Sequence, residues 1–161
     1  MNACKLVEQS LTFTQKAING LLGDLSDADL LVRPVEGANH IAWQIGHLIV
    51  SERRLAGQLP SATFPELPAG FADKYGNQSS AQNATSGFAT KAQYLELFNQ
   101  TRAATLAAVA KLSDADLDKP AKGPGDISNL GGLLNLVAVH SMMHGGQFSV
   151  LRRKLGKPVL F

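Results

Sequence analysis

The sequence predicts an all-α fold, a four-helix bundle with a long crossover between its second and third helices. Leu and Ala together account for 44 of the 161 residues, whereas Val and Ile together account for 14. Leu and Ala lose little side-chain entropy in a helix, and the β-branched residues favour strands. Four stretches of about 20 residues each repeat their apolar residues at the spacing of one helix face. A chain of this length is expected to form one domain around one core, here residues 1–161.

The charge balance argues against binding to nucleic acid or to a membrane surface through net electrostatic attraction. Fifteen Lys and Arg residues face thirteen Asp and Glu residues, a formal net charge of +2, which does not favour nucleic acid or a membrane surface as partner. The longest nearly apolar run, residues 130–139, is much shorter than the roughly 20 residues of a membrane span. No signal peptide is evident at the N-terminus. We therefore expect a soluble cytoplasmic protein that binds neither nucleic acid nor membranes and acts on a small molecule.

The first two helices are predicted from apolar spacing and from residues that start and stop helices. The first covers residues 3–22 and ends at Gly23. The second begins near Asn39, a good N-cap, and runs to about Leu59, ahead of Pro60.

The segment 60–89 has no helical or strand periodicity, and Pro, Gly, Ser, Asn and Gln are frequent in it. A loop of this length inside a compact domain is uncommon and is usually functional or disordered. Its four aromatic residues predict that it packs onto the helices as part of a pocket wall: Phe64, Phe71, Tyr75 and Phe88.

The third predicted helix opens with Thr90-x-x-Gln93, a capping-box pattern, and continues to Leu112. The fourth starts near Ser128 and ends before Gly156. The hexapeptide LSDADL occurs at residues 25–30, after the first helix, and again at 112–117, after the third. This repetition predicts two related helix pairs.

All four histidines fall on the second and fourth predicted helices. His140 and His144 are spaced i, i+4, which places both imidazoles on one helix face. Taken alone, such a pair is more often an ordinary surface or core feature than a metal site. The same face of the fourth helix, however, is otherwise largely apolar. It carries Leu133, Leu136, His140, His144, Gln147 and Leu151.

His47 extends this pattern to the second helix, where it is flanked by apolar residues. Three imidazoles directed into a core need partners for their nitrogens, and a shared metal ion would satisfy them. His40 lies about 10.5 Å away from His47 along the helix axis, so we expect it at the helix cap or the mouth of the pocket. Trp43 is a candidate for the pocket wall and Gln147 for substrate positioning, although ordinary packing explains both equally well.

Two segments carry a family resemblance: residues 39–48 (NHIAWQIGHL) and residues 139–147 (VHSMMHGGQ). In this order and helical setting they resemble the DinB/YfiT-like metalloenzyme superfamily, and the likeness covers essentially the whole chain. The resemblance implies a four-helix bundle that presents one histidine from the second helix and an HxxxH pair from the fourth to one divalent metal. By that likeness His47, His140 and His144 are the ligands, and His40 matches no ligand position.

Three neutral imidazoles leave a coordination position open, as catalytic metal sites do. Zinc is the first expectation for three nitrogen ligands, and nickel, cobalt, iron and manganese are also compatible with them. Neither His47 nor His140 is followed by the glutamate of HExxH proteases, which disfavours protease-type hydrolysis. Ser51 and Glu52 are further candidates for a role in the site, with no stronger claim than Trp43 and Gln147, and no catalytic residue is assigned.

The resemblance also implies a class of chemistry, because similar family members include thiol S-transferases and a thiol-dependent isomerase that use low-molecular-weight thiols. A metal-dependent, S-transferase-like enzyme with such a thiol cofactor is therefore the leading hypothesis. Two alternatives stay open: a non-catalytic metal-binding stress or sensor module, and a structural dimeric bundle with merely buried histidines. A homodimer is expected because helical bundles with surplus apolar surface often pair.

Overall fold

A computed structural model describes residues 1–76 and 87–160, and within these ranges the chain is helical and has no strand. This confirms the all-α prediction. No helix in the described ranges combines the length and apolar character that a membrane span requires. The helices are α1 (Ala3–Leu22), α2 (Ile41–Ala56), α3 (Phe71–Lys74), α4 (Lys91–Val109) and α5 (Leu130–Lys154).

The four long helices pack in a closed ring. Both α1 and α2 contact α4 and α5, and each of the four buries one side in a shared core. The core consists of two apolar clusters. One contains Ile18, Ile45 and Phe148, and the other, further along the helices, contains Leu11 and Leu134.

A polar layer separates the two apolar clusters, and its central residue is Arg102 on α4. This side chain is fully buried, and its guanidinium binds Glu52 of α2 through two hydrogen bonds of 2.8 and 2.9 Å. It also donates to the Leu11 carbonyl and the Thr14 hydroxyl on α1, and to the Ser141 hydroxyl on α5. Arg102 therefore contacts all three other long helices.

Helix boundaries differ from the predicted ones by up to three residues. The N-cap of α2 is His40 instead of Asn39, because the His40 Nδ1 accepts a hydrogen bond from the Trp43 amide at 3.1 Å. The Asn39 carbonyl instead accepts from the Gln44 side chain. At its other end α2 stops at Ala56 rather than at about residue 59.

The two later helices begin and end close to the predicted positions. The capping box of Thr90 and Gln93 is present, and α4 ends at Val109 instead of residue 112. Helix α5 begins at Leu130, with Asn129 as its N-cap rather than residue 128.

The segment between α2 and α4 packs onto the long helices through its aromatic side chains. Phe71 and Tyr75 are buried, and Phe64 and Phe88 are partly buried against the core. The short helix α3 lies in this segment and begins after Gly70, whose φ of 73° is in the left-handed region that favours glycine. Residues 77–86, which belong to the predicted pocket-wall segment, lie outside the described residues.

The two LSDADL hexapeptides form similar turns. In the first, the Ser26 amide donates to the Asp29 carboxylate at 2.8 Å and the Ser26 hydroxyl accepts from the Asp29 amide. In the second, the Ser113 amide donates to the Asp116 carboxylate at 2.7 Å. Each turn continues into a short 3-10 helix.

The first aspartate of each hexapeptide caps the leading helix of the other half. Asp27 accepts a hydrogen bond from the Lys91 amide, the first residue of α4. Asp114 accepts from the amides of Ala3 and Cys4, the first residues of α1. This reciprocal arrangement supports the prediction of two related helix pairs.

We expect the Arg102→Met variant to lose about 3–5 kcal/mol of unfolding free energy, because it leaves the Glu52 carboxylate buried without a counter-ion. The double variant E52M/R102M should recover much of that loss, since it removes both charges. Chemical denaturation of the three proteins measures both effects. A double variant as unstable as the single one would show that the unpaired charge is not the cause.

Candidate metal centre

Three histidine side chains meet between α2 and α5. His140 and His144 are adjacent on α5, and their Nε2 atoms are 3.2 Å apart. The His47 ring on α2 faces both, with ring centroids at 5.2 Å from His140 and 5.5 Å from His144. The candidate ligand atoms of the three residues all lie within 4.8 Å of one another. The structure therefore brings together the three residues that the sequence predicts as ligands.

Hydrogen bonds orient two of these rings. The Nδ1 of His47 is 3.1 Å from the Tyr75 carbonyl oxygen, and the Nδ1 of His144 is 2.7 Å from Oε1 of Gln44. The Gln44 amide nitrogen donates to the Asn39 carbonyl, so its oxygen faces His144. Because both oxygens only accept, each Nδ1 carries the proton and each Nε2 keeps a lone pair. Metal-binding histidines are typically held by bonds of this kind.

The geometry of the cluster fits a small divalent metal ion. A four-coordinate ion with bonds near 2.1 Å separates its ligand atoms by about 3.4 Å, close to the 3.2 Å between His140 and His144. The wider separations, up to 4.8 Å, require only small side-chain movements. The donor set, three imidazole nitrogens, suits zinc, nickel, cobalt and iron.

The surroundings hold all three histidines in the neutral form that metal binding requires. Burial lowers the pKa of His47 below its usual value. Burial, with a smaller contribution from His47, lowers the pKa of His140 to about 4. Burial together with the two neighbouring histidines lowers the pKa of His144 to about 3. At pH 7 the three imidazoles are therefore neutral, and protons do not compete with a metal ion for their unprotonated nitrogens.

The other residues singled out from the sequence take different positions. Trp43 is buried and stacks on the His47 ring at 4.8 Å with an interplanar angle of 12°. Gln147, one turn beyond His144, is exposed. Glu52 pairs with Arg102 on the other side of α2.

His40 does not join the three-histidine cluster. It caps α2, which is one of the two positions that the sequence predicts for it. Its ring contacts the Phe88 ring edge-on, with 4.5 Å between the ring centroids.

Gln44 and Tyr75 are the supporting residues that sequence reasoning missed. Gln44 lies within an otherwise apolar stretch of α2 and is 1% exposed; a polar residue at such a position, three residues before His47, was a usable signal. Tyr75 contributes its backbone carbonyl, which every residue possesses, so no sequence pattern could have identified it.

Tyr75 is fixed against α2 and α4. Its ring lies so close to Gly46 that a Cβ atom there would be 2.5 Å from the ring. Its hydroxyl is hydrogen-bonded to the Tyr94 hydroxyl in the core. The carbonyl that holds His47 is thus positioned by contacts of the Tyr75 side chain with both α2 and α4.

A cavity of about 450 Å³ lies between α4 and the segment that joins α2 to α4. Its wall combines apolar surface from Phe71 and Leu97 with the polar side chains of Gln93 and Glu96. Tyr75 also lines it, whereas none of the three histidines does.

Comparison with known proteins identifies a family and a fold. A family model described as the DinB superfamily matches residues 10–148. No curated protein matches the chain significantly. A crystal structure described as the conserved protein of locus from Enterococcus faecalis is similar over 98% of this chain and 99% of that chain, with a TM-score of 0.74 and 16% identity. At this identity the likeness concerns the fold.

We expect Gly46→Ala to displace the Tyr75 ring and with it the carbonyl that orients His47. Overpacking of this kind costs about 1–3 kcal/mol, and loss of a ligand-orienting bond typically weakens metal affinity 10–100-fold. Denaturation and metal titration measure the two effects. Gly20→Ala is the matched control, because nothing lies within 4 Å of the added Cβ. Equal metal affinity in both variants would contradict this role of Tyr75.

We expect the metal-free protein to lose stability as the pH falls from about 7 toward 4. The unfolded chain protonates its histidines near pH 6.5, whereas His140 and His144 in the folded state do so only near 4 and 3. In this window the unfolded state binds more protons, so acid favours unfolding. Unfolding free energy measured against pH should fall less steeply for H140Q/H144Q. An unchanged slope would show that these two residues are not the cause.

Proposed function

The chain belongs to the DinB superfamily, and from this membership and its three-histidine cluster we propose that it is a divalent-metal-dependent enzyme. His47, His140 and His144 are the proposed ligands. The observation that carries the proposal is the convergence of their ligand atoms within 4.8 Å. The hydrogen bonds that leave the Nε2 atoms of His47 and His144 unprotonated support it.

Three protein ligands leave one position for an exogenous group, which favours a catalytic over a purely structural site. We propose zinc as the native metal, with nickel, cobalt, iron and manganese as alternatives for the same nitrogen ligands.

The proposed reaction is thiol-dependent S-transfer with a low-molecular-weight thiol as cosubstrate. Glu52 is paired with Arg102, and no carboxylate joins the histidines in the metal-site cluster of the described residues. Chemistry that needs little help from a general base therefore suits the site best. A metal ion held by the three histidines would make such chemistry possible, because coordination favours the thiolate form of a thiol. In a reaction of this class the thiol sulfur would form a bond to an electrophilic carbon, the leaving group would take the electrons of the bond that breaks, and the thiol proton would pass to solvent.

The cavity that Tyr75 lines supports a small-molecule substrate. Its volume of about 450 Å³ lies in the usual range for small ligands, and its mixed apolar and polar wall is typical of such pockets. Tyr75 both lines this cavity and accepts the hydrogen bond of the His47 Nδ1 atom.

We further propose that the chain is one four-helix-bundle domain, residues 1–161, with the segment between α2 and α4 as its crossover. The ring of contacts among α1, α2, α4 and α5 supports this arrangement. The homodimer and the cytoplasmic location stay predictions.

Metal content tests the proposal directly. After chelation and exposure to zinc, nickel or cobalt, we expect about one ion per chain in elemental analysis, because one three-histidine site is present. His140→Ala should abolish this uptake. His40→Asn is the matched control: it removes another histidine of α2 but keeps a good N-cap, and it should retain the metal. A protein without metal uptake, or with equal uptake in His140→Ala, would contradict the proposal.

Thiol consumption separates the three functional hypotheses. An S-transferase should consume a small thiol in the presence of an electrophile and should lose this activity in His140→Ala. A sensor module should bind metal without consuming thiol across a panel of electrophiles. A purely structural bundle should change only its stability when the three histidines are replaced.

A further inference from the structure

Ser51 lies one helical turn after His47 on α2 and is 6% exposed. Its hydroxyl oxygen is 3.3 Å from the Nε2 atom of His47. Among the described residues this is the hydrogen bond that the Ser51 hydroxyl makes.

The direction of this hydrogen bond follows from the other side of the ring. The Tyr75 carbonyl accepts from Nδ1 of His47, so in the neutral imidazole Nε2 has no proton and can only accept. The Ser51 hydroxyl is therefore the donor. Its partner is the lone pair by which His47 would bind a metal ion, so the hydroxyl and the metal compete for the same electrons.

We propose that Ser51 binds the anionic group of the exogenous ligand in the metal site, the thiolate sulfur in the reaction proposed above. This inference rests on the proposed function. When a metal ion takes the Nε2 lone pair, the Ser51 hydroxyl loses this acceptor and is available to another one. An anion at the open coordination position offers a new acceptor, and hydrogen bonds to charged acceptors are the stronger kind.

Ser141 provides a contrast with Ser51. It is also buried and adjacent in sequence to a candidate ligand, His140. Its hydroxyl donates to the Val137 carbonyl and accepts from Arg102. Metal binding leaves these partners in place, so Ser141 gains no role in ligand binding.

The test compares the full chain with Ser51→Ala and, as matched control, Ser141→Ala. Cobalt affinity is measured by competition with a chelator. The affinity of the cobalt-loaded protein for 2-mercaptoethanol is then measured from the cobalt absorption spectrum. Because alanine is a better helix former than serine, Ser51→Ala does not weaken α2 through helix propensity. Ser51→Thr, which keeps the hydroxyl, serves as the second variant.

We expect the two affinities of Ser51→Ala to move apart. Cobalt binding should stay equal or tighten up to about 10-fold, because a competing hydrogen bond is gone. Thiol binding should weaken roughly 10–100-fold, as expected for loss of a hydrogen bond to a charged group. Ser51→Thr should bind thiol within about 3-fold of the unmodified chain, and Ser141→Ala should leave both affinities within the same limit.

Three outcomes would overturn the inference. Equal thiol affinity in Ser51→Ala and the unmodified chain removes the role of the hydroxyl. Weaker cobalt binding in Ser51→Ala shows instead that Ser51 supports His47. Absence of cobalt binding in the unmodified chain overturns the inference and the proposed function together, whereas the first two outcomes leave the proposed function intact.

Discussion

The ion pair between Arg102 and Glu52 is the interaction on which the rest of the structure depends. One buried guanidinium connects α4 with α2 through Glu52, with α1 through Thr14 and with α5 through Ser141. Its donors are matched by a carboxylate, a backbone carbonyl and two hydroxyls, so the cost of removing the charges from water is offset within the core. Such a network requires one register of the four helices, because a shift of any of them would leave a buried group unpaired.

The histidine cluster and the network of this ion pair use neighbouring residues of the same helices, α2 and α5. Glu52 follows Ser51 in sequence, and Ser141 follows His140, so neighbouring residues on two helices point to different partners. The register that pairs Arg102 therefore also brings α2 and α5 into the relation in which their histidines meet. Partial burial of the three histidines lowers their pKa values and leaves their unprotonated nitrogens available to a metal ion.

Support for the histidines comes from parts of the chain that are distant in sequence. Gln44 contacts His144 across the interface of α2 and α5, and the segment after α2 brings the Tyr75 carbonyl to His47. Gly46 makes the second contact possible, because only a residue without a side chain leaves room for the Tyr75 ring. The segment between α2 and α4 therefore contributes both to the wall of the cavity and to the orientation of a candidate ligand.

The sequence by itself determined the features that depend on local spacing. Apolar periodicity located the four long helices, capping patterns located the start of α4 and the repeated turns, and the i, i+4 spacing of His140 and His144 placed both on one face. Only the tertiary structure decided which distant groups meet: the Gln44 amide at His144, the Tyr75 carbonyl at His47, and Glu52 at Arg102 instead of in the site. The reason is physical, since capping and periodicity arise within a few residues, whereas these contacts arise from the packing of separate helices.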